Sequence, residues 1–169
     1  MKELILALVL TFLLGSNADA LLVGSWDLNE GQGTVANDSS GFNNNGSFAS
    51  ESPVWGQGKY GNALLFNGIP NAVVTVPYNG SLALPNSFTI MMWAKPQAGG
   101  DRRIIEHYTA GAPSIGFILR PAEEPSFAGK WQVASNLGNI WSNELVQTDN
   151  WQHLAVTYDE VNLQLYING

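Results

Sequence analysis

The 169-residue chain contains no cysteine. Without a thiol it can form no disulfide, no thiolate metal site, no cysteine nucleophile and no bacterial lipid anchor on an N-terminal cysteine. Its stability must therefore come from the burial of apolar surface.

Basic residues are also scarce. Seven Lys and Arg residues stand against 14 Asp and Glu residues, so the formal net charge is −7 at pH 7. An acidic protein is repelled by phosphate backbones and by anionic lipid headgroups. Because the sequence contains no basic patch that offsets this charge, we expect no nucleic-acid partner and no anionic-membrane surface.

A long apolar run occurs at the N-terminus. It extends over residues 4–14, follows Lys2 and ends near the small residues Ala18 and Ala20. A membrane span needs about 20 apolar residues, whereas this pattern is typical of a signal peptide that is cleaved after Ala20. The sequence therefore predicts a secreted, extracellular or periplasmic protein without a transmembrane segment, in which residues 1–20 are the signal and residues 21–169 form one domain.

After residue 20 the sequence lacks a convincing helical pattern. Apolar and polar residues alternate in short segments, which are separated by clusters of Gly, Pro, Asn and Ser. This arrangement predicts an all-β sandwich or barrel. A first strand is expected to place Leu22, Gly24, Trp26 and Leu28 on one face. Further strands are predicted in "GNALLFNG", "NAVVTVP", "NSFTIMMWAKP", "RIIEHY", "SIGFILR", "KWQVAS", "NIWSNEL" and the terminal pair "WQHLAVTY" and "VNLQLYI".

Two turns and one strand are predicted in more detail. We expect a tight turn over Asn67 to Asn71 between "GNALLFNG" and "NAVVTVP", and a four-residue loop over Asp159 to Asn162 in the terminal hairpin. In "NSFTIMMWAKP" one face is wholly apolar and the other is mixed. A mixed outer face suits a sheet that is covered on one side and only partly covered on the other.

Several segments together resemble a known family. The stretch "VGSWDLNEGQGTVANDSSGFNNNGSF" is similar to the opening of laminin G-like domains of the concanavalin A-like lectin and glucanase superfamily. "GKYGNALLFNG", "SFTIMMWAKP" and "WQHLAVTYD" followed by "LQLYING" resemble later landmarks of that family in the same order. The resemblance implies an antiparallel jelly-roll β-sandwich of two sheets from about Leu22 onward. It also implies that C-terminal strands are missing, because several strands follow the position of Gly169 in the family.

The resemblance bears on metal binding as well. Many members carry two aspartates in the turn after "FDG", and some relatives bind calcium through loop carboxylates and carbonyls. Here that turn reads Asn67-Gly68-Ile69-Pro70-Asn71, so both acids are absent. We therefore expect no cofactor, and any calcium site would draw on Asn71 and Asp38 with a small effect.

Catalysis is not expected, although the same superfamily contains glucanases and polysaccharide lyases. Glycoside hydrolysis needs two carboxylates about 5–10 Å apart, and the chain has no Glu-x-Asp-x-x-Glu pattern. Glu123 and Glu124 are adjacent and would point in opposite directions in an extended chain. His107 and His153 lie singly in strand-like runs, which is typical of structural histidines. The sequence predicts a protein that is not an enzyme.

The resemblance instead implies binding of a polysaccharide or glycan, whose sugar rings stack on aromatic side chains. The candidate ligand-binding residues are the aromatic residues Tyr108, Trp131 and Trp141, with Arg103 and Asn136 as polar partners. Trp131 alternates with Val133, however, and therefore also fits a core position. By contrast, Trp26, Phe66, Trp93 and Trp151 are expected in the sandwich core or on a sheet surface. The alternative function is a structural or adhesive module that binds protein partners at the cell surface and no sugar.

Overall fold

The computed structural model describes residues 20–69, 71–84, 86–97, 103–107, 116–122 and 124–169. Within these ranges the chain forms eleven β-strands and two 3₁₀ helices, and it contains no α-helix. The predicted signal peptide lies outside the described residues, apart from Ala20.

The strands are numbered in chain order. They are β1 (Val35–Ala36), β2 (Gly46–Ser47), β3 (Val54–Gln57), β4 (Asn62–Leu65), β5 (Phe88–Ala94), β6 (Ile105–His107), β7 (Phe117–Pro121), β8 (Lys130–Ser135), β9 (Gly138–Leu145), β10 (Gln152–Tyr158) and β11 (Leu163–Ile167). The 3₁₀ helices cover Gly80–Leu82 and Pro125–Phe127.

Two antiparallel sheets form the sandwich. The four-stranded sheet has the order β6-β7-β8-β9, and the three-stranded sheet has the order β11-β10-β5. Two further antiparallel pairs, β1-β2 and β3-β4, precede them in the chain. The predicted all-β, antiparallel, concanavalin A-like sandwich is confirmed.

The core lies between the two sheets. Leu119 and Val133 on the four-stranded sheet and Leu154 and Val156 on the three-stranded sheet are fully buried. They form one apolar cluster that also contains Ala94, Phe117, Trp131 and Ile167. Because each strand presents alternate residues to this cluster, the period of two in the sequence decides which side chains are buried.

Trp131 belongs to this core, so its prediction as a ligand-binding residue is wrong. Its exposed fraction is 0%, and its indole Nε1 donates a hydrogen bond to Oε1 of buried Gln152 at 3.2 Å. A sugar ring cannot reach a side chain that lies between the sheets. The alternation of Trp131 with Val133 was the sequence signal for this position.

The predicted first strand from Leu22 to Leu28 does not form within the described residues. This segment forms hydrogen bonds with a loop and not with a neighbouring strand. The amide of Ser25 donates to Oδ1 of Asp38 at 2.9 Å, and the carbonyl of Ser25 accepts from the amide of Ser39 at 2.8 Å. The indole Nε1 of Trp26 donates to the carbonyl of Asn44 at 2.7 Å. Side-chain and loop partners thus replace the ladder that the alternation predicted.

The pairing predicted around residues 67–71 is also different. Strand β4 pairs with β3, which precedes it, while residues 72–77 contribute only an isolated bridge between Thr75 and Ser47. The side chain of Asn67 accepts hydrogen bonds from the hydroxyl of Ser52 at 2.7 Å and from the amide of Ile69 at 3.2 Å. The four-residue loop over 159–162 is confirmed, because the amide of Asp159 donates to the carbonyl of Asn162 at 3.3 Å.

Candidate functional site

The outer face of the three-stranded sheet carries exposed aromatic and apolar side chains. Along β5 the inward residues Ile90 and Met92 are partly buried against the core, whereas Met91 is 65% exposed and Trp93 is 40% exposed. On β11 the outward residue Tyr166 is also 40% exposed. Large exposed side chains therefore stand on both flanking strands of the sheet.

The middle strand of this sheet presents small side chains between them. Ala155 on β10 pairs with Met91 on β5 and with Tyr166 on β11. Thr157 is the next outward residue of β10. The result is a shallow depression along β10, with Ala155 and Thr157 as its floor and Met91, Trp93 and Tyr166 as its walls. We call it the outer trough.

Tyr166, the wall on the β11 side, is held along its own strand. Its hydroxyl donates a hydrogen bond to Oε1 of Gln164, two residues earlier on the same face, at 2.8 Å. Neighbouring strands lie about 4.8 Å apart. The backbones of β5 and β11, which carry the two walls, are therefore about 10 Å apart across β10.

Trp93 is the centre of an aromatic group at one end of the trough. His153 is directly opposite on β10, and the two ring centroids are 5.2 Å apart with an interplanar angle of 58°. The edge of Tyr60 approaches from the other direction, with the centroids 6.0 Å apart and the planes at 80°. Tyr60 itself is 70% exposed. Aromatic rings in edge-to-face contact, like Tyr60 and Trp93, stabilise one another.

A glycine-bounded turn between β3 and β4 places Tyr60 there. The amide of Gly58 donates to the carbonyl of Gly61 at 2.9 Å, so Lys59 and Tyr60 form the tip. Gly61 has φ of +62°, and a Cβ at this position would lie 2.1 Å from Oδ1 of Asn29. Glycine is therefore required at position 61, and the turn directs its tip toward β5.

The tip also brings a cation to the aromatic group. Nζ of Lys59 lies 5.1 Å from the ring centroid of Trp93 and 5.9 Å from that of Tyr60, within the range of cation–π attraction. Lys95, exposed and two residues after Trp93, lies on the same side of the chain by alternation. In the part of the chain that the structure describes, the one salt bridge joins Arg103 to Glu106, so neither lysine has a carboxylate partner there.

Trp141, one of the predicted binding residues, lies on the outer face of the other sheet. Its half-buried ring stacks on Phe127 with centroids 4.1 Å apart. Beside it, Nε of Arg120 donates to Oε1 of Gln132 at 3.2 Å, and Nε2 of Gln132 donates to Oε1 of Glu124 at 3.1 Å. The backbone amide of Glu124, followed by the side chains of Gln132 and Trp141, lowers the pKa of Glu124. Phe127 covers one ring face of Trp141, so that ring is less accessible to a ligand than Trp93.

The remaining predicted residues do not converge on one site. Arg103 lies just before β6 and forms a 2.8 Å salt bridge with Glu106. Asn136 lies in the turn after β8, at the opposite end of the sheet, where its Oδ1 accepts from the amide of Gly116 at 3.2 Å. Tyr108 lies outside the described residues. Their ligand-binding roles stay predictions.

Asp38, a candidate calcium ligand, uses both carboxylate oxygens within its own loop. They accept hydrogen bonds from the amides of Ser25, Ser40 and Asn44, each at 2.9 Å, and from the hydroxyl of Ser40 at 2.8 Å. Desolvation raises the pKa of Asp38, but these donors outweigh it and lower the pKa to about 2. The carboxylate therefore acts as an anchor for the loop.

The other metal candidate, Asn71, is an exposed turn residue with φ of +66°. Among the described residues, no three His, Cys, Asp or Glu side chains come together as a metal-binding group. Calcium coordination by Asn71 or Asp38 thus stays a prediction, and Asp38 already has four protein donors on its oxygens.

His107 has structural contacts. Its Nε2 is 2.8 Å from the carbonyl oxygen of Leu82, and its ring stacks on Phe117 with centroids 5.9 Å apart. These contacts join β6 to the segment before β5 and to the core. They agree with the structural role that the sequence predicts for this histidine.

The sequence predicts Trp93 in the core or on a sheet surface and does not mark Tyr60 or Lys59 as site residues. The mixed outer face of "NSFTIMMWAKP" was an available signal for Trp93. No local pattern, in contrast, could bring the β3–β4 turn to β5, because that contact is formed by the tertiary structure.

Within the described residues, the candidate site is an open surface and not an enclosed pocket. A groove between β9 and β11, lined in part by Ser142, Glu144 and Tyr166, has a volume of about 160 Å³, below the roughly 300 Å³ at which small-molecule pockets begin. No helix in the described part of the chain is long and apolar enough to span a bilayer.

Comparison with known families adds an independent finding. Residues 66–169 match a laminin G-like family described as the Concanavalin A-like lectin/glucanases superfamily. The match covers more than half of the chain and confirms the resemblance over that range. Residues 22–65, which the sequence resemblance included, precede the matched region. No curated protein and no solved structure matches the chain.

Proposed function

Because the chain belongs to this laminin G-like family of the concanavalin A-like superfamily, we propose that it is a non-catalytic, exported module that binds carbohydrate in the outer trough. A binding or lectin-like role is supported at the level of the superfamily. Laminin G-like domains are typically extracellular, which supports export together with the signal peptide predicted over residues 1–20.

The observation that carries the proposal is the exposed indole of Trp93 at the end of an open trough. Sugar rings have apolar faces of C–H groups that pack against aromatic rings, and their hydroxyls need hydrogen-bond partners at the side. Trp93 is 40% exposed and is fixed by Tyr60 and His153. A ring that is already fixed loses little conformational entropy when a ligand stacks on it.

The trough also suits a chain-like ligand. Its floor runs along β10, and the backbones of the flanking strands β5 and β11 lie about 10 Å apart. An extended glycan would lie along β10 over Ala155, between Met91 and Tyr166, with Trp93 at one end. Asn168 and Gln164, both exposed, lie on the Tyr166 side and can exchange hydrogen bonds with sugar hydroxyls. An open surface can bind internal segments of a polymer as well as its ends.

The same face supports a function without catalysis. Strands β5, β10 and β11 contain no Asp or Glu, so the three strands that form the trough supply no carboxylate pair. Glycoside hydrolysis through a general acid and a second carboxylate therefore has no candidate residues on these strands.

The proposal is tested by titrating the purified protein with plant, algal and bacterial polysaccharides and following intrinsic tryptophan fluorescence and isothermal titration heat. Trp93→Ala should weaken binding about tenfold or more, equivalent to about 1.4 kcal/mol. Tyr166→Ala should weaken it less. Tyr78→Ala removes a tyrosine that is 48% exposed outside the trough and serves as the matched control.

Three outcomes distinguish the possibilities. Loss of binding in Trp93→Ala with an unchanged melting temperature supports the trough as the site. Glycan binding that persists in Trp93→Ala and Tyr166→Ala but is lost in Trp141→Ala would move the site to the four-stranded sheet. No binding to any glycan would favour the adhesive, protein-binding alternative.

A further inference from the structure

Part of the positive charge of the described residues lies beside Trp93, the tryptophan of the outer trough. The five described basic residues are Lys59, Lys95, Arg103, Arg120 and Lys130. Two of them, Lys59 and Lys95, flank Trp93, which lies on the sheet whose three strands lack Asp and Glu. The sequence predicted no basic patch, but the β3–β4 turn brings Lys59 to the strand that leads to Lys95.

We propose that the outer trough binds acidic polysaccharides, with the sugar ring stacked on Trp93 and its carboxylate or sulfate group bound by Lys59 and Lys95. This inference rests on the proposed glycan-binding function and adds the class of glycan. Nζ of Lys59 is 5.1 Å from the centroid of Trp93, so an anionic substituent on a stacked ring lies within reach of the ammonium group.

The lysines are available for an external anion. Within the described residues, neither lysine side chain forms a salt bridge. Lys59 instead makes cation–π contacts with the rings of Trp93 and Tyr60. A flexible ammonium group can leave a weak, exposed cation–π contact for a stronger, charge-assisted hydrogen bond to a carboxylate or sulfate.

The net charge of −7 acts against a polyanion, but its effect decays with distance. At physiological ionic strength the Debye length is about 8 Å. Two acidic residues nevertheless lie near the trough: Glu144 lines a groove together with Tyr166, and the amide of Asp149 donates to the carbonyl of Pro96, the neighbour of Lys95, at 2.8 Å. Lys59, with its Nζ 5.1 Å from the ring centroid of Trp93, still places a positive charge directly at the ring on which the sugar stacks.

The test compares polymers that differ only in charge. In the first pair, highly methyl-esterified pectin has few free carboxylates, and the same pectin after de-esterification has many on the same backbone. In the second pair, dextran is uncharged and dextran sulfate carries sulfate esters on the same backbone. We expect de-esterification or sulfation to tighten binding at least tenfold at 50 mM salt, and 500 mM salt to remove most of this gain. Which pair responds identifies carboxylate or sulfate as the recognised group.

Lysine variants locate the charge. Lys59→Gln and Lys95→Gln should each weaken binding of the acidic polymer about threefold, and the double variant about tenfold. Lys59→Arg preserves the positive charge and should therefore keep most of the affinity that Lys59→Gln loses. Lys130→Gln on the four-stranded sheet is the matched control and should bind like the unaltered protein.

The outcomes separate this inference from the proposed function. If the charged and uncharged polymers bind equally well, and Trp93→Ala abolishes binding of both, the acidic-glycan inference is overturned but the proposed glycan binding stands. Charge-dependent binding that is unaffected by the double lysine variant would also overturn it. Absence of binding to all four polymers and to the wider glycan panel would overturn both.

Discussion

Trp93 and His153 are directly opposite each other on neighbouring antiparallel strands, with ring centroids 5.2 Å apart. Such cross-strand pairs are the basic stabilising contacts of a sheet surface. Here the pair also fixes an exposed indole at the end of the outer trough, where Tyr60 meets it from the β3–β4 turn. In the proposed function, the pair that stabilises this face also orients the indole on which a sugar would stack.

The turn that carries Tyr60 provides a test of how the site is positioned. Gly61→Val should strain the backbone, because φ is +62° and a Cβ would lie 2.1 Å from Oδ1 of Asn29. We expect a loss of about 1–3 kcal/mol in stability and weaker glycan binding even though Trp93 is unchanged. Gly33→Val is the control, since its φ is also positive but no atom lies within 4 Å of its Cβ position. Unaltered binding in Gly61→Val would show that the turn has no part in the site.

Trp131 should behave as a core residue. Trp131→Ala is expected to lower the free energy of unfolding by about 3–5 kcal/mol, since it removes a fully buried side chain and leaves Oε1 of Gln152 with one donor fewer. Urea denaturation measures this loss. Trp93→Ala, which changes a side chain that is 40% exposed, should cost much less. Comparable losses for the two variants would contradict the burial described here.

Stability should depend on pH through Asp38. Its pKa in the folded protein is about 2, below the ordinary 3.8, so the carboxylate stabilises the fold above pH 3.8, and this contribution is lost as the pH falls toward 2. After a discount for solvent screening we expect it to be about 1 kcal/mol. Asp38→Asn should lower the melting temperature at pH 7 by about 2–4 °C and should change it little near pH 2. Asp27→Asn, at an exposed position, is the control; an equal effect of both variants would refute the role of the Ser25, Ser40 and Asn44 donors.

Calcium should have a small effect. Asp38 is already bonded to four protein donors, and the turn containing Asn71 lacks the acidic pair. Thermal melts in 2 mM calcium and in excess chelator should therefore nearly coincide. A saturable rise of several degrees with calcium, lost in Asp38→Asn, would reveal a site formed with backbone carbonyls.

The purified protein should not cleave polysaccharides. The three strands of the trough contain no carboxylate, and Glu106 on β6 is paired with Arg103. Assays for new reducing ends and for unsaturated products should stay at background over hours. Turnover that disappears in Glu106→Gln or His107→Ala would contradict this expectation and indicate a polysaccharide-degrading enzyme.

Alternation in the sequence determined most of the strands. In "NSFTIMMWAKP", "KWQVAS" and the terminal hairpin, period two separates the two faces of each strand, and β5, β8, β10 and β11 form where it predicts. The four-residue loop at 159–162 also follows from its residues, because the carboxylate of Asp159 accepts from the amides of Val161 and Asn162. These features depend on neighbours in the sequence.

Pairing partners and site residues were decided by the tertiary structure. The segment around Trp26 alternates like a strand but is bonded by a loop, and β4 pairs with β3 instead of with "NAVVTVP". Alternation predicts which residues lie on each face of a strand. It does not predict which distant segment will form hydrogen bonds with the edge of that strand or pack on its face. For the same reason Lys59 and Trp93 looked unrelated in the sequence, and only the folding of the β3–β4 turn against β5 places a cation beside an exposed indole.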